Sequence, residues 1–401
     1  MIDFDHNATT PLDSRVRAAM IELLANPSLD GNPSSVHGRG RAARAVVEAA
    51  RREISTALGA DPLGVTFTSG GTEADALALL GSCRALRLAG RPCALLSSRI
   101  EHPAVLGAGE RLLREGISRV FVEVDDDGRL SAAPLLATLE AHPEVGVVSL
   151  AAANHELGNR YDIPGLVAAI RGLDRALLIH SDAVQAFGKV PVNFGAWGVD
   201  LLSVSSHKIH GPKGVGALIH RPQQPLDPLW IGGSQERGRR VGTEAVPAVH
   251  GFGVAAKLVA SELDERRARV AGLRERLLGG LRARVPDAVI HGDQAAEGTL
   301  GNTVLASIPG CSGELLLMNL DLEGIAVSTG SACNSGELGG SKVLLALGVD
   351  PPLAACALRF SLGKDSSEGE VDRVLDCLPD IVARTRANSR GLLGISRPEA
   401  S

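Results

Sequence analysis

The sequence predicts an α/β protein: a large unit built on a mostly parallel sheet, followed by a smaller α+β unit. Three observations predict it. From about Ser14 to Leu263, short apolar runs alternate with amphipathic helical segments, the signature of strands joined by crossover helices. Several of those apolar runs end in clusters of polar residues, as strands do where a sheet meets a ligand. Beyond Gly251 a long helical stretch leads to a second, sparser set of strands.

Taken in order, Arg39–Leu58 carries Ala43, Val46, Val47, Ala50, Ile54 and Leu58 at helical spacing on one stripe. Strands are expected at Gly64–Thr68, Cys93–Ser97, Val145–Ala151, Ala176–His180 and Val199–Val204. The helices between them are expected at Glu73–Ala89, Val105–Glu115, Pro134–Ala141 and Ile163–Leu173. The stretch Val254–Arg284, rich in Arg and Glu, reads as a connecting helix pair. The second unit then offers strands at Ala288–His291, Thr303–Ser307, Ala326–Ser328 and Ala357–Ser361. Asn388–Ser401 reads as a loose tail. There is no internal repeat or low-complexity block.

Composition narrows the function. The chain has 401 residues, enough for two sizeable cores, and a net charge of −5, which argues against a sequence-independent nucleic-acid footprint. No apolar run approaches the roughly 18 residues that span a bilayer, and the first residues lack the regions of a signal peptide. A cytoplasmic protein without membrane contact is expected. The six cysteines lie far apart with no CxxC pair, so neither a metal site nor a disulfide scaffold is expected.

The chemistry is concentrated at a few places. In Ser203–Gly214 a lysine, Lys208, follows an apolar run and sits among hydroxyls, histidines and a glycine turn. An amine placed there can form a Schiff base with an aldehyde cofactor. Taken alone, such a lysine is more often a solvated residue of a Gly/Pro loop. Thr68–Glu73 lies at a strand-to-helix turn, where Gly71 and Thr72 can receive an anionic group or simply cap the helix. Asp182 follows an apolar strand, either pairing with a protonated ring nitrogen or capping a turn. His102 can stack on a ring or shuttle protons, although a lone histidine is usually structural. Arg359 is a charge inside an apolar strand and needs a carboxylate partner, from the protein or from a substrate. Cys333 is surrounded by small polar residues and glycines, which suits an accessible, reactive thiol.

Together these segments resemble the cysteine desulfurases, pyridoxal-phosphate enzymes of the class V aminotransferase family. The resemblance rests on Asp5–Thr10, Gly31–His37, Thr68–Glu73, Glu101–Val105, His180–Gln185, Ser206–Gly214, Gly232–Arg237, Val241–Thr243, Ser328–Cys333 and Leu358–Ser361. It implies fold type I, with a seven-stranded, mostly parallel sheet in the large domain. The implied domains are residues 15–263 (large) and 264–387 (small, carrying the cysteine loop). Residues 1–14 would pack with the small domain, and 388–401 form the tail. It also implies pyridoxal 5′-phosphate as cofactor, L-cysteine as substrate, a homodimer and a sulfur-accepting protein partner.

By the same resemblance, Lys208 carries the cofactor. Gly71, Thr72, Ser205 and His207 hold its phosphate, with Thr243 from the second subunit. Asp182 pairs with the ring nitrogen, Gln185 contacts the ring oxygen and His102 stacks on the ring. Arg359, with Asn32 nearby, anchors the substrate carboxylate. Cys333 takes the sulfur as a persulfide and is at most a transient iron–sulfur ligand. The long stretch from Cys333 to Lys342 is similar to the subgroup that hands sulfur to iron–sulfur scaffolds or tRNA-modifying proteins. One position departs: Asn154-His155-Glu156 places His155 where the family carries an asparagine against the cofactor. Val241 also replaces a usually small residue. A selenocysteine lyase or a transaminase of the same fold stays open on this ground, as does a non-catalytic cofactor-binding partner.

Overall fold

The protein is described here by a computed structural model covering residues 1–330 and 340–392. The chain begins with β1 (Ile2–Asp3), α1 (Ser14–Leu24) and α2 (Gly38–Leu58). It then alternates through β2 (Val65–Thr68), α3 (Gly71–Leu88), β3 (Ala94–Ser98), α4 (Pro103–Arg114), β4 (Arg119–Val122), α5 (Ala132–Ala141), β5 (Val145–Ala151), α6 (Ile163–Arg171) and β6 (Leu178–Asp182). A short helix, α7 (Phe194–Trp197), precedes β7 (Leu201–Ser205) and β8 (Gly216–His220). The second part comprises α8 (Val246–Arg284), β9 (Val289–His291), β10 (Thr303–Ser307), α9 (Gly313–Leu322), β11 (Ile325–Ala326), α10 (Lys342–Ala346), α11 (Pro351–Ala354), β12 (Ala357–Ser361) and α12 (Glu368–Leu392).

Seven strands form the large sheet in the order β2-β8-β7-β6-β5-β3-β4. All run parallel except β8, which is antiparallel to both its neighbours. Helices cover both faces, so the central strands read as continuous apolar runs rather than alternating ones. All seven residues of β5 are buried. Two strands, β4 and β8, escape the sequence pattern. β8 opens on Gly216, a poor strand former, because a Cβ there would lie 2.6 Å from the Gly70 carbonyl carbon. β6 and β7 also end later than expected. Asp182 is therefore the last residue of its strand rather than the residue after it.

The expected helix pair at 254–284 is instead one helix, α8, of 39 residues. No proline interrupts it. Its first half packs Val249, Phe252, Ala256 and Val259 into the core of the large sheet. Its second half packs Val270, Leu273, Leu277 and Leu281 into a separate core. The exposed Arg/Glu stretch between them is the solvated middle of a bridging helix, which the sequence presents as a break. The second core is closed by the antiparallel sheet β12-β10-β9 and by α9 and α12. Phe4, fully buried, belongs to it, and β1 pairs in parallel with β11. The final helix continues to Leu392, so the segment read as a tail from Asn388 starts helical.

Candidate active site

Strand ends build the site. β6 delivers Asp182 and β7 delivers Ser205, after which a 3-10 turn at Ser206–Lys208 lifts the lysine over the sheet. The N-terminal segment crosses this turn. Thr10 Oγ1 donates to His207 O at 2.8 Å, and Lys208 Nζ donates to Ala8 O at 2.8 Å and to Asn7 O. A pocket of about 310 Å³ results, bordered by His102, His155, Asp182, Val184, Gln185 and Lys208. Five residues singled out from the sequence thus meet in one place.

Each of these side chains is held. Asp182 Oδ1 accepts from Val184 N at 2.9 Å. Burial raises its carboxyl to about 6, with the Val184 hydrogen bond and then nearby Lys208 opposing the rise. His102 caps α4, its Nδ1 accepting from Ala104 N at 3.1 Å. That bond leaves Nε2 as the protonated nitrogen of the neutral ring. Burial, then Lys208, lowers this imidazole to about 4. His155 meets His102 edge to face, with centroids 5.1 Å apart. Burial first, then His102, Arg359 and Lys208, hold His155 well below the ordinary histidine range. Gln185 Nε2 donates to Asn7 O at 2.9 Å, while its Oε1 accepts from Lys189 Nζ at 2.6 Å.

Other residues flank the pocket. At Gly71, the first residue of α3, a Cβ would lie 2.7 Å from Val184 and 3.5 Å from Ser205, so the helix terminus abuts the pocket wall. Thr72 is exposed at that terminus. Ser205 is buried with no hydrogen-bond partner for its Oγ among the described residues, and His207 Nδ1 lies 3.1 Å from Thr9 Oγ1. Glu73 ties the 240s loop to the same terminus through Arg240, 3.0 Å away. Thr243 is exposed on that loop. The loop's root carries left-handed backbone at Glu236 (φ 46°) and Arg237 (φ 57°). Such conformations cost about 1–3 kcal/mol each. Glu236 offsets the cost by accepting from Phe67 N at 2.8 Å and pairing with buried Arg51 at 2.7 Å.

Arg359 on β12 has its carboxylate partner within the chain: Asp5 Oδ1, 2.7 Å from Nη2. Nη1 donates to His155 O at 3.0 Å, and the buried Nε has no hydrogen-bond partner among the described residues. Arg359 also bridges by its backbone to Ser328. Asn32 is not a member of the pocket; it is exposed ahead of α2, its Oδ1 accepting from Ser34 N at 2.9 Å. Cys333 lies outside the described residues. Where the described residues resume, Ser341 Oγ donates to the carboxylate of buried Glu156. Sequence reasoning missed Asn7 and Lys189, whose polar atoms knit Gln185 and Lys208 together.

The chain matches the family model described as aminotransferase class-V over residues 2–374, and it belongs to that family. It is 40% identical over 399 residues to an IscS-like cysteine desulfurase of Mycobacterium tuberculosis, covering 99% of this chain and 100% of the relative. With a cysteine desulfurase of Cereibacter sphaeroides it shares 42% identity, covering 96% of each. Among solved structures, a NifS-like protein superposes with a TM-score of 0.87 at 35% identity, covering 96% of this chain and 99% of that one. A NifS-like protein from Rickettsia africae gives a TM-score of 0.84 at 31% identity, with the same coverage. Within the class V family, the chain groups with the cysteine desulfurases and is a pyridoxal-phosphate enzyme of fold type I. The donor set fits that cofactor. A lysine amine and a buried carboxylate face one pocket, and an unpartnered buried serine hydroxyl lies beside a helix N-terminus.

Proposed function

We propose that this enzyme removes sulfur from L-cysteine, releasing L-alanine and leaving the sulfur as a persulfide on Cys333. The convergence of Lys208 and Asp182 on one pocket carries this reading. The bound cofactor supplies an electron-withdrawing ring that weakens bonds at the substrate's α and β carbons. Lys208 holds that cofactor and moves the proton at the α carbon. Asp182, ionised beside Lys208, keeps the ring nitrogen protonated. Gly71, Thr72, Ser205 and His207 take the phosphate, and Gln185 and His155 face the ring oxygen. His102 would stack on the ring, and its Nε2–H would be available to protonate the departing sulfur. Arg359 grips the substrate carboxylate, its Nε being the donor that Asp5 and His155 leave over among the described residues. Asn32 assists from its exposed loop.

The sulfur leaves as the C–S bond breaks and joins the Cys333 thiolate, while the β carbon gains a proton. No oxidant is needed. The Ser328–Arg359 bridge supports this role, because the segment carrying Cys333 departs just after Ser328. The active form is a homodimer in which Thr243 of each subunit completes the other's phosphate site. Exposed Val36 (87%), Trp230 (53%) and Ile231 (99%) are apolar side chains that a partner subunit could cover. The sulfur passes to a protein acceptor of iron–sulfur or thio-cofactor assembly in the cytoplasm. No described helix is long and apolar enough to cross a membrane. The domains divide at 15–263 and 264–387, as the two cores suggest. Selenocysteine lyase or transaminase activity has no observation favouring it over this one.

Cys333→Ala tests the reading. The variant is expected to keep the yellow colour of the bound cofactor and to lose alanine formation from cysteine. Alanine release at the wild-type rate assigns the sulfur acceptor elsewhere.

A further inference from the structure

Glu156 has no part in the scheme above, although it is buried next to the pocket. The turn that carries it is fixed. Asn154 Oδ1 accepts from Glu156 N and Leu157 N, both at 2.9 Å, and Asn154 Nδ2 donates to Ile100 O at 2.8 Å. Successive residues of this turn meet different neighbours. His155 borders the cofactor pocket, and its carbonyl accepts from Arg359 Nη1. The Glu156 side chain instead meets Gly330 and Ser341, the last described residue before Cys333 and the second after it.

Both contacts are close. A Cβ at Gly330 would lie 2.6 Å from Glu156 Oε2 and 3.6 Å from Ser341 Cβ, so a glycine lets the three residues pack together. Its φ of 81° favours glycine as well. Ser341 Oγ donates to that same Oε2. The serine also caps α10, its Oγ accepting from Leu344 N at 3.0 Å. One carboxylate oxygen thus touches the chain on both sides of the segment that carries Cys333. Burial raises this carboxyl to about 7, with the Ser341 hydrogen bond and then Arg359 opposing the rise. An enclosed carboxyl is costly unless it is hydrogen-bonded, and Ser341 supplies such a bond.

We propose that Glu156 is a positioning residue for sulfur transfer, holding residues 330 and 341 together beside His155 so that both tethers of the Cys333 segment stand next to the cofactor pocket. The effective concentration of a tethered group depends on where its tethers stand, and a misplacement of about 1 Å can cost about a hundredfold in rate. In this role Glu156 touches neither substrate nor cofactor. The proposal rests on Cys333 being the sulfur acceptor, and its test separates the two claims.

Holoenzyme carrying Glu156→Ala, Glu156→Gln or Ser341→Ala is followed in steady state and by stopped-flow absorbance. In Glu156→Ala, kcat for alanine formation should fall about tenfold or more. KM for cysteine, and the rate of the absorbance change on mixing with cysteine, should stay at wild-type values, because the loss falls after substrate has bound. That absorbance change also reports a folded, loaded enzyme. Glu156→Gln, whose amide oxygen can still accept from Ser341 Oγ, should restore kcat. Ser341→Ala should lower it, and combining that change with Glu156→Ala should cost nothing further. An unchanged kcat in Glu156→Ala overturns the proposal. So does an absorbance change slowed as much as kcat, which would place the effect in the cofactor pocket. Alanine release at the wild-type rate by Cys333→Ala overturns instead the reading on which the proposal rests.

Discussion

At the scale of single residues, His155 marks this chain out. Its ring is enclosed beside His102, Arg359 and Lys208, all of which disfavour its protonation. It therefore stays neutral near physiological pH and offers a ring N–H much as an asparagine amide offers its own. His155→Asn is expected to preserve the pH dependence of cysteine turnover between about pH 6 and 9, where an ordinary imidazole would titrate. Loss of a limb of that profile in the variant means His155 exchanges protons during turnover. Asp182 ends an apolar strand and Lys208 lies in the turn just after one, but residue type alone left each with a bland alternative, and both were legible in the sequence through the family resemblance. Lys189 was not. In Gln185-Ala186-Phe187-Gly188-Lys189 it looks like a surface lysine, and only the return of Asn7 across the turn reveals its surroundings.

At the scale of elements, α8 is the clearest correction and yields a prediction. Gly272 lies inside this helix, and a Cβ there meets nothing within 4 Å. Gly272→Ala should therefore stabilise the protein by about 0.5–1 kcal/mol through helix propensity, read as a rise in Tm. Gly272→Pro should cost about 3 kcal/mol or more. Indifference to both substitutions would mean that the helix is broken near 272. The loop at Glu236 gives a second test. Glu236→Gln leaves Arg51 buried without its full counter-charge, and losing one partner of such a pair costs about 3–5 kcal/mol. The variant should lose stability in denaturant titration. Because the same loop leads to Thr243, it should also release cofactor more readily on dialysis. Most elements were legible because their periodicity was clean. β4 and β8 were not, being short and, for β8, glycine-led for steric reasons invisible along the chain.

At the scale of the whole molecule, many buried titratable groups set how stability responds to pH. His102, His207, His210 and His220 are lowered to about 4, and His180 to about 3, chiefly by burial. Lowered histidines contribute stability above their unfolded value, about 6.5, and lose it as pH falls toward 4. Asp182, Glu156 and Glu101 are raised by burial to about 6, 7 and 8. Raised carboxyls favour the fold below about 4 and lose that contribution as pH climbs through their folded values. The histidines outnumber the carboxyls, so the acid side is the steeper. The apoprotein's Tm is expected to peak near pH 6.5, falling sharply below about 6 and gently between about 6.5 and 8. A Tm that stays flat from pH 7 down to 4.5 would show that these imidazoles are not enclosed.

By itself the sequence determined the α/β class and the two cores and, through the family resemblance, the lysine and carboxylate at the strand ends. The first two follow from local periodicity and the others from ordered motifs, both of which are written along the chain. Only the tertiary structure decided that Asp5 pairs with Arg359, that Asn7 joins Gln185 to two lysines, and that α8 bridges both cores unbroken. The physical reason is that charge pairing and desolvation depend on distance in space. The partners concerned lie up to 354 residues apart in sequence, as Asp5 and Arg359 do, so nothing local announces them.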